Sequence, residues 1–169
     1  MSLLPTVEEI ATLPRRAVGA FAARCARVVF SKFLEAYPDA PPGDAGLLAS
    51  ALEFAERASA GQSGRAPVHF VAGDWWNAVE KVTRRTPAAV NATAAAVALA
   101  VLRAVSAVQA ADAVASGPQG PARAAFAAAE FARDTGSSVE GIRADFEKLK
   151  AAVAGEQNPV SPDVFDAVA

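Results

Sequence analysis

The sequence feature that most limits the fold is an apolar stretch in the middle of the chain. Between residues 88 and 102 no side chain is charged, and Thr86 followed by Pro87 forms a typical helix start. The pattern predicts a long helix over residues 87–115, about 40 Å in length at 1.5 Å per residue. A helix that is apolar on all sides is buried either in a protein core or in a membrane.

The details of this stretch favour the core. A membrane-spanning helix needs about 20 apolar residues, and Arg103 ends the run before that length is reached. Alanine, which fills much of the run, also inserts into membranes less readily than leucine or phenylalanine. The sequence therefore predicts no membrane insertion and a helix at the centre of a bundle, with a bend near residues 103–106.

The composition is that of a helical globular protein. Alanine makes up about a quarter of the chain, far above ordinary usage, and it favours helices because it loses no side-chain entropy. No segment alternates as a strand does. We predict an all-α fold, an antiparallel bundle of six to seven helices around the apolar central helix. The predicted organisation is one domain over residues 1–155 and an extended C-terminal tail over 156–169.

Capping and stop signals place the other helices. Thr6 and Glu9 form the pattern of a capping box, and Ser137 with Glu140 offers a second one. Asp44 is the predicted N-cap of the third helix. Further helices are predicted over residues 7–13, 14–37, 45–60, 67–85 and 121–134, and from 139 to a stop at Gly155. The helix over 67–85 is either continuous or broken at Gly73-Asp74.

Charge and cysteine content narrow the function classes. The net charge is −2 and the pI about 5.4, so the chain lacks the basic field of a nucleic-acid-binding protein, and no nucleic acid is expected as a partner. A single cysteine, Cys25, excludes an internal disulfide. With no secretory signal at the start of the sequence, these features predict a cytoplasmic protein.

The residues for catalysis or metal binding are few. His69 is the only histidine, and Cys25 falls on the apolar face of the second helix, where thiols are usually inert. A zinc site needs three or four histidine, cysteine or acidic ligands, and a phosphate loop needs a glycine-rich motif with lysine; neither pattern occurs. The sequence predicts no catalytic set, no metal and no cofactor.

Two surfaces are candidates for binding. The first and more distinctive is an aromatic and charged cluster, for which core packing of the tryptophans and an exposed patch that anchors a partner are both open interpretations. It consists of His69, Phe70, Asp74, Trp75, Trp76, Arg84 and Arg85. The second is a basic stripe on the second helix, Arg16, Arg24 and Arg27, interpreted either as a solvated face or as a weaker site for phosphate or acidic groups.

The two ends of the chain resemble a set of uncharacterised, alanine-rich, all-helical proteins from high-GC bacteria. The likeness is carried by LPRRAVGAFAARCARV in residues 13–28, and by DFEKL in 145–149 with GE in 155–156. The resemblance implies an all-helical, bacterial, cytoplasmic protein. It implies no activity, ligand or catalytic residue.

The sequence thus favours a non-enzymatic protein-interaction module, such as an adaptor, an inhibitor or an assembly subunit, whose partner is another protein. Self-association into a homo-oligomer stays open. The alternative is a bundle that holds an apolar small molecule between thinly packed helices. An enzyme of unknown class is the third interpretation, and it would need polar groups that converge in a cleft.

Overall fold

The computed structural model describes residues 3–62 and 119–154, together with Lys81, Arg84 and Phe165. In this part of the chain every regular element of more than one residue is a helix, which confirms the all-α prediction at the level of fold class. The helices are α1 Val7–Ala11, α2 Arg15–Ala36, α3 Pro42–Ser59, α4 Gly120–Asp134 and α5 Val139–Ala152. The helix predicted over 87–115 and the expected bend near Arg103 lie outside the described residues. So does the helix predicted over 67–85 with its break at Gly73-Asp74, apart from Lys81 and Arg84.

The capping box at the start of α1 is confirmed. The Thr6 hydroxyl accepts a hydrogen bond from the Glu9 amide at 3.2 Å, and the Glu9 carboxylate accepts one from the Thr6 amide at 2.8 Å. This arrangement satisfies two amides that the first turn of a helix leaves without partners. The helix is two residues shorter than predicted, because the Thr12 amide already turns back to carbonyls of α1.

One predicted helix start and one predicted capping box are wrong, whereas the predicted start of the last helix at residue 139 is confirmed. In α3 the cap is Pro41 and Pro42 takes the first helical position, so Asp44 lies in the first turn rather than at the cap. Proline suits that position because its missing N–H would have no helical partner there. In α5 the cap is Ser138, whose hydroxyl accepts from the Gly141 amide at 3.0 Å. Glycine at that position has no side chain to complete a capping box.

Helix α2 is the centre of the described structure. It packs against α3, α4 and α5, while α1 packs against α4. The sequence pattern predicts one apolar face on α2, but between residues 17 and 26 every residue except Arg24 is buried. The difference arises from alanines outside the predicted stripe: Ala17, Ala20, Ala23 and Ala26 are at most 5% exposed. Alanine is small enough to be covered by neighbouring helices on several sides.

The side of α4 that enters the core is made of alanine alone. Its buried residues are Ala122, Ala124, Ala125, Ala128, Ala129 and Ala132, while Phe126 and Phe131 are only partly buried. Such small side chains allow two helix backbones to approach more closely than leucine or phenylalanine would. On the α4 side, the contact between α2 and α4 is therefore lined by alanine, and a larger side chain there would overpack it.

Aromatic side chains join α2 to α5. The rings of Phe21 and Phe146, both fully buried, meet edge to face with their centroids 5.5 Å apart. Such a pair adds about 0.5–1.5 kcal/mol to the stabilisation from burial alone. Within the segment predicted as an extended tail, Phe165 is described; it is 6% exposed and belongs to the same apolar core. The chain therefore returns to the bundle at this residue.

None of the helices in the described ranges combines the length and the hydropathy needed to cross a bilayer.

Candidate functional site

The first predicted binding surface lies largely outside the described residues. His69, Phe70, Asp74, Trp75, Trp76 and Arg85 fall in that part of the chain, so their arrangement stays a prediction. Arg84 is described, and like Lys81 three residues earlier it is helical and exposed.

The basic stripe predicted on α2 does not form a uniform solvated face. Arg16 is exposed, whereas Arg24 and Arg27 are partly buried and each contacts a carboxylate on another helix. The wheel pattern places these arginines together, but it carries no information on the acidic residues that approach them from α3 and α5. Two of the three arginines thus connect α2 to neighbouring helices through ion pairs.

The Arg27 pair connects α2 to α3. Its guanidinium donates through Nε and Nη2 to the two carboxylate oxygens of Glu56, at 2.9 and 2.6 Å. A two-point contact of this kind fixes both side chains in direction as well as distance. The side chains are 35% and 20% exposed, so water screens the attraction only in part.

The Glu9 carboxylate connects α1 to α5. Besides closing the capping box, it accepts two hydrogen bonds from the Arg143 guanidinium, at 2.9 and 2.6 Å. Arg143 also pairs with Glu147 at 3.0 Å, one turn further along α5. The Arg143 hydrogen bonds, followed by the one from the Thr6 amide, lower the pKa of Glu9 from 4.5 to about 2. The carboxylate is therefore charged throughout the neutral range and holds the short α1 in place.

A third cluster joins α2, α5 and the C-terminal segment. Arg24 pairs with Asp145 at 2.9 Å, and its guanidinium carbon lies 5.4 Å from the centroid of the Phe165 ring. The ammonium group of Lys148 donates to the Phe165 carbonyl at 3.4 Å. Sequence reasoning missed this cluster because it assigned the segment to an extended tail. The available signal was an aromatic residue, Phe165, between two acids, Asp163 and Asp166.

Cys25 has the properties predicted for an inert core thiol. It is 4% exposed, and burial, followed by the nearby Asp145 carboxylate, raises the pKa of the thiol far above its usual value. At neutral pH the group is a protonated thiol, whereas nucleophilic attack needs a thiolate. His69, the only histidine of the sequence, lies outside the described residues. Among the residues that are described, no cluster of three or more histidine, cysteine or acidic side chains could hold a metal ion.

The turn between α2 and α3 exposes apolar side chains. Leu34 is 43% exposed, and Ala36, Pro38, Pro41 and Pro42 are also exposed. We call residues 34–42 the α2–α3 turn surface. The exposed charges of Glu35 and Asp39 lie within it. Packing against the core anchors the start of the turn, because the ring of Tyr37 meets the ring of the buried Phe33 with their centroids 5.8 Å apart.

Comparisons of the chain with protein-family models, with curated proteins and with solved structures find no match. The likeness of residues 13–28 and 145–156 to alanine-rich bacterial proteins therefore stays a prediction. The physical properties of the described surfaces are what bears on function.

Proposed function

We propose that this chain is a non-enzymatic helical module that binds another protein, as an adaptor, an inhibitor or an assembly subunit. The observation that carries the proposal is the α2–α3 turn surface. It presents an apolar side chain, Leu34, next to three prolines and beside charged groups, on a bundle whose helices are linked by ion pairs. Apolar contacts inside a polar rim are characteristic of protein interfaces.

The stiffness of this surface supports the same function. Proline has a fixed backbone angle, so a turn with Pro38, Pro41 and Pro42 loses little conformational freedom when a partner binds. The Arg27–Glu56 pair holds α2 and α3 together below the turn. A surface that is ordered before binding reaches a given affinity with fewer contacts.

The charged groups of the described region favour binding over catalysis. The arginine–carboxylate pairs of Arg24, Arg27 and Arg143 connect helices, and Cys25 is a protonated, buried thiol. The predicted aromatic cluster from His69 to Arg85 is the second candidate contact, and it lies in a different part of the sequence from the turn. The proposal places the protein in a reducing cytoplasm, which the lone cysteine supports.

A capture experiment tests the proposal. The full chain is immobilised and used to isolate a partner from its source cells, and the affinity of the purified partner is then measured by titration calorimetry. Truncation of a central contact residue costs more than 1 kcal/mol, so we expect Leu34→Ser to weaken binding by about tenfold. Leu3→Ser is the matched control, because Leu3 is also an exposed leucine, 76% accessible. It should leave the affinity unchanged.

The aromatic cluster is tested in parallel with Trp76→Ala. A loss of binding in this variant alone assigns the contact to the cluster instead of the turn. The proposal fails if no partner binds in a saturable way. It also fails if the purified partner binds all three variants as tightly as it binds the unmodified chain.

A further inference from the structure

Phe165 is held by contacts to both its side chain and its backbone. The Arg24 guanidinium lies over the ring, 5.4 Å from its centroid, and the Lys148 ammonium donates to the Phe165 carbonyl at 3.4 Å. The residue itself is 6% exposed. A cation over an aromatic face is attracted by the electron density of the ring, so the position discriminates between an aromatic residue and an aliphatic one.

The groups that contact Phe165 are anchored independently of it. Arg24 extends from α2 and pairs with Asp145 of α5 at 2.9 Å, with side chains 29% and 19% exposed. Lys148 follows Asp145 by three residues and so lies on the same side of α5. Because these helices also pack through Phe21 and Phe146, the receiving surface belongs to the bundle and not to the segment that occupies it. We call Arg24, Asp145 and Lys148 the Phe165 site.

The occupying sequence matches the charge of the site. Phe165 is preceded by Asp163 and followed directly by Asp166, while two of the three side chains of the site are cations. The ligand that the chain itself supplies to this surface is thus an aromatic residue with acidic neighbours in sequence. Phe165 has a helical backbone conformation, and residues 155–164 connect it to α5.

We propose that the Phe165 site is a peptide-binding site for an aromatic residue flanked by acidic residues, which the chain's own C-terminal segment occupies in cis. A partner protein that presents the same chemistry replaces Phe165 there. The inference rests on the proposed interaction function and adds the chemistry of the partner. A tethered ligand competes at an effective concentration in the millimolar range, so an added peptide binds well only where the cis contact is weakened.

The test uses the full chain with the substitution Phe165→Ala and a fluorescently labelled peptide of residues 160–169, VSPDVFDAVA. Fluorescence anisotropy should show saturable binding of the peptide to Phe165→Ala, and binding at least about tenfold weaker to the unmodified chain, whose own segment competes. A peptide with alanine in place of phenylalanine should not bind. Adding Arg24→Ala to Phe165→Ala should weaken binding by about tenfold through loss of the cation over the ring.

The control for Arg24 is Lys32→Ala, which also removes a cation from α2 but one that pairs with Glu35 at 3.4 Å. It should leave peptide binding unchanged. If Phe165→Ala does not fold, Phe165→Leu preserves apolar bulk without the aromatic face. The labelled peptide should then bind Phe165→Leu more tightly than the unmodified chain, and equal binding overturns the proposal.

The proposal is also overturned if the peptide shows no saturable binding to folded Phe165→Ala, or if adding Arg24→Ala leaves the affinity for the peptide unchanged. The probe is the chain's own peptide and not a host protein, so the two proposals fail separately. A negative result here removes the Phe165 site and leaves the interaction function to the α2–α3 turn surface. A failure to find a host partner leaves the peptide measurement unaffected.

Discussion

The carboxylate of Glu9 has two structural roles that one substitution can separate. It closes the capping box with Thr6, and it binds Arg143 of α5 through two short hydrogen bonds. Glutamine at the same position still serves a capping box, so Glu9→Gln removes the charge and preserves most of the cap. The loss of stability in this variant therefore reports mainly on the link between α1 and α5.

The geometry sets the size of the effect. The two side chains are 36% and 28% exposed, which places them among surface pairs that are worth about 0.2–1 kcal/mol. The two-point contact places this pair at the upper end, so we expect a coupling of about 1 kcal/mol in a double-mutant cycle of Glu9→Gln and Arg143→Gln. The cycle cancels the contacts of Arg143 with Glu147 and with the Phe146 ring, because both Arg143 variants lack them.

The coupling depends on pH in a defined direction. Arg143 lowers the pKa of Glu9 in the folded state to about 2, below its usual 4.5. A lowered folded-state pKa gives stability that is fully present above the unfolded value and is lost as the pH falls through the folded one. The coupling should therefore be complete at pH 7 and decline between about pH 4.5 and 2.

Urea unfolding followed by circular dichroism at pH 7, 4.5 and 3 measures both properties. Glu8→Gln in the same cycle with Arg143→Gln is the matched control, since Glu8 is an exposed acid in the same turn of α1. Its coupling should be close to zero. A coupling for Glu9 below about 0.3 kcal/mol at pH 7, or one that stays constant down to pH 3, would refute the assignment of this pair as the link to α5.

Two further predictions concern the backbone and the thiol. Gly136, between α4 and α5, has a φ of 97°, so Gly136→Ala should destabilise the fold by about 1–2 kcal/mol and lower the thermal midpoint by several degrees. Gly46→Ala in α3, where an added Cβ meets nothing within 4 Å, should instead raise the midpoint slightly, and a drop of equal size in both variants would contradict the reasoning. Cys25 should react with a thiol reagent only as fast as the bundle opens, so that its labelling rate rises with urea in step with unfolding. Labelling in native buffer at the rate of the unfolded chain would show that α2 is not the buried centre.

The sequence predicted those features that depend on neighbouring residues. Thr6 and Glu9 of the capping box are three residues apart, and Pro38 lies just beyond the end of α2. Both features can therefore be predicted from a short stretch of sequence. The start of α3 was placed too late because Asp44 and Pro42 are both good helix-start residues and the proline is the one used. Aspartate at the N-cap and proline at the first helical position are both common, so the sequence alone does not decide between them.

The features that sequence reasoning missed depend on distant residues. Arg24 meets Asp145 across 121 positions, and Arg143 meets Glu9 across 134. A helical wheel shows the arginines of α2 on one side but cannot supply the carboxylates that approach them. The burial of α2 on several sides between residues 17 and 26 was missed for a related reason, since alanine occurs on both buried and exposed faces of helices.

The central position of α2 has a consequence for how the chain is made. The helices that cover its alanine-rich sides, α4 and α5, begin at residue 120 and beyond, whereas α2 ends at Ala36. Because a ribosome adds about 5–20 residues per second, roughly ten seconds separate the completion of α2 from the arrival of α4. Among the described helices, α3 is the one that packs on α2 during that interval. Chains that stop before residue 120 lack the contacts of α4 and α5 with α2, and this makes unfinished chains natural substrates for chaperones and proteases.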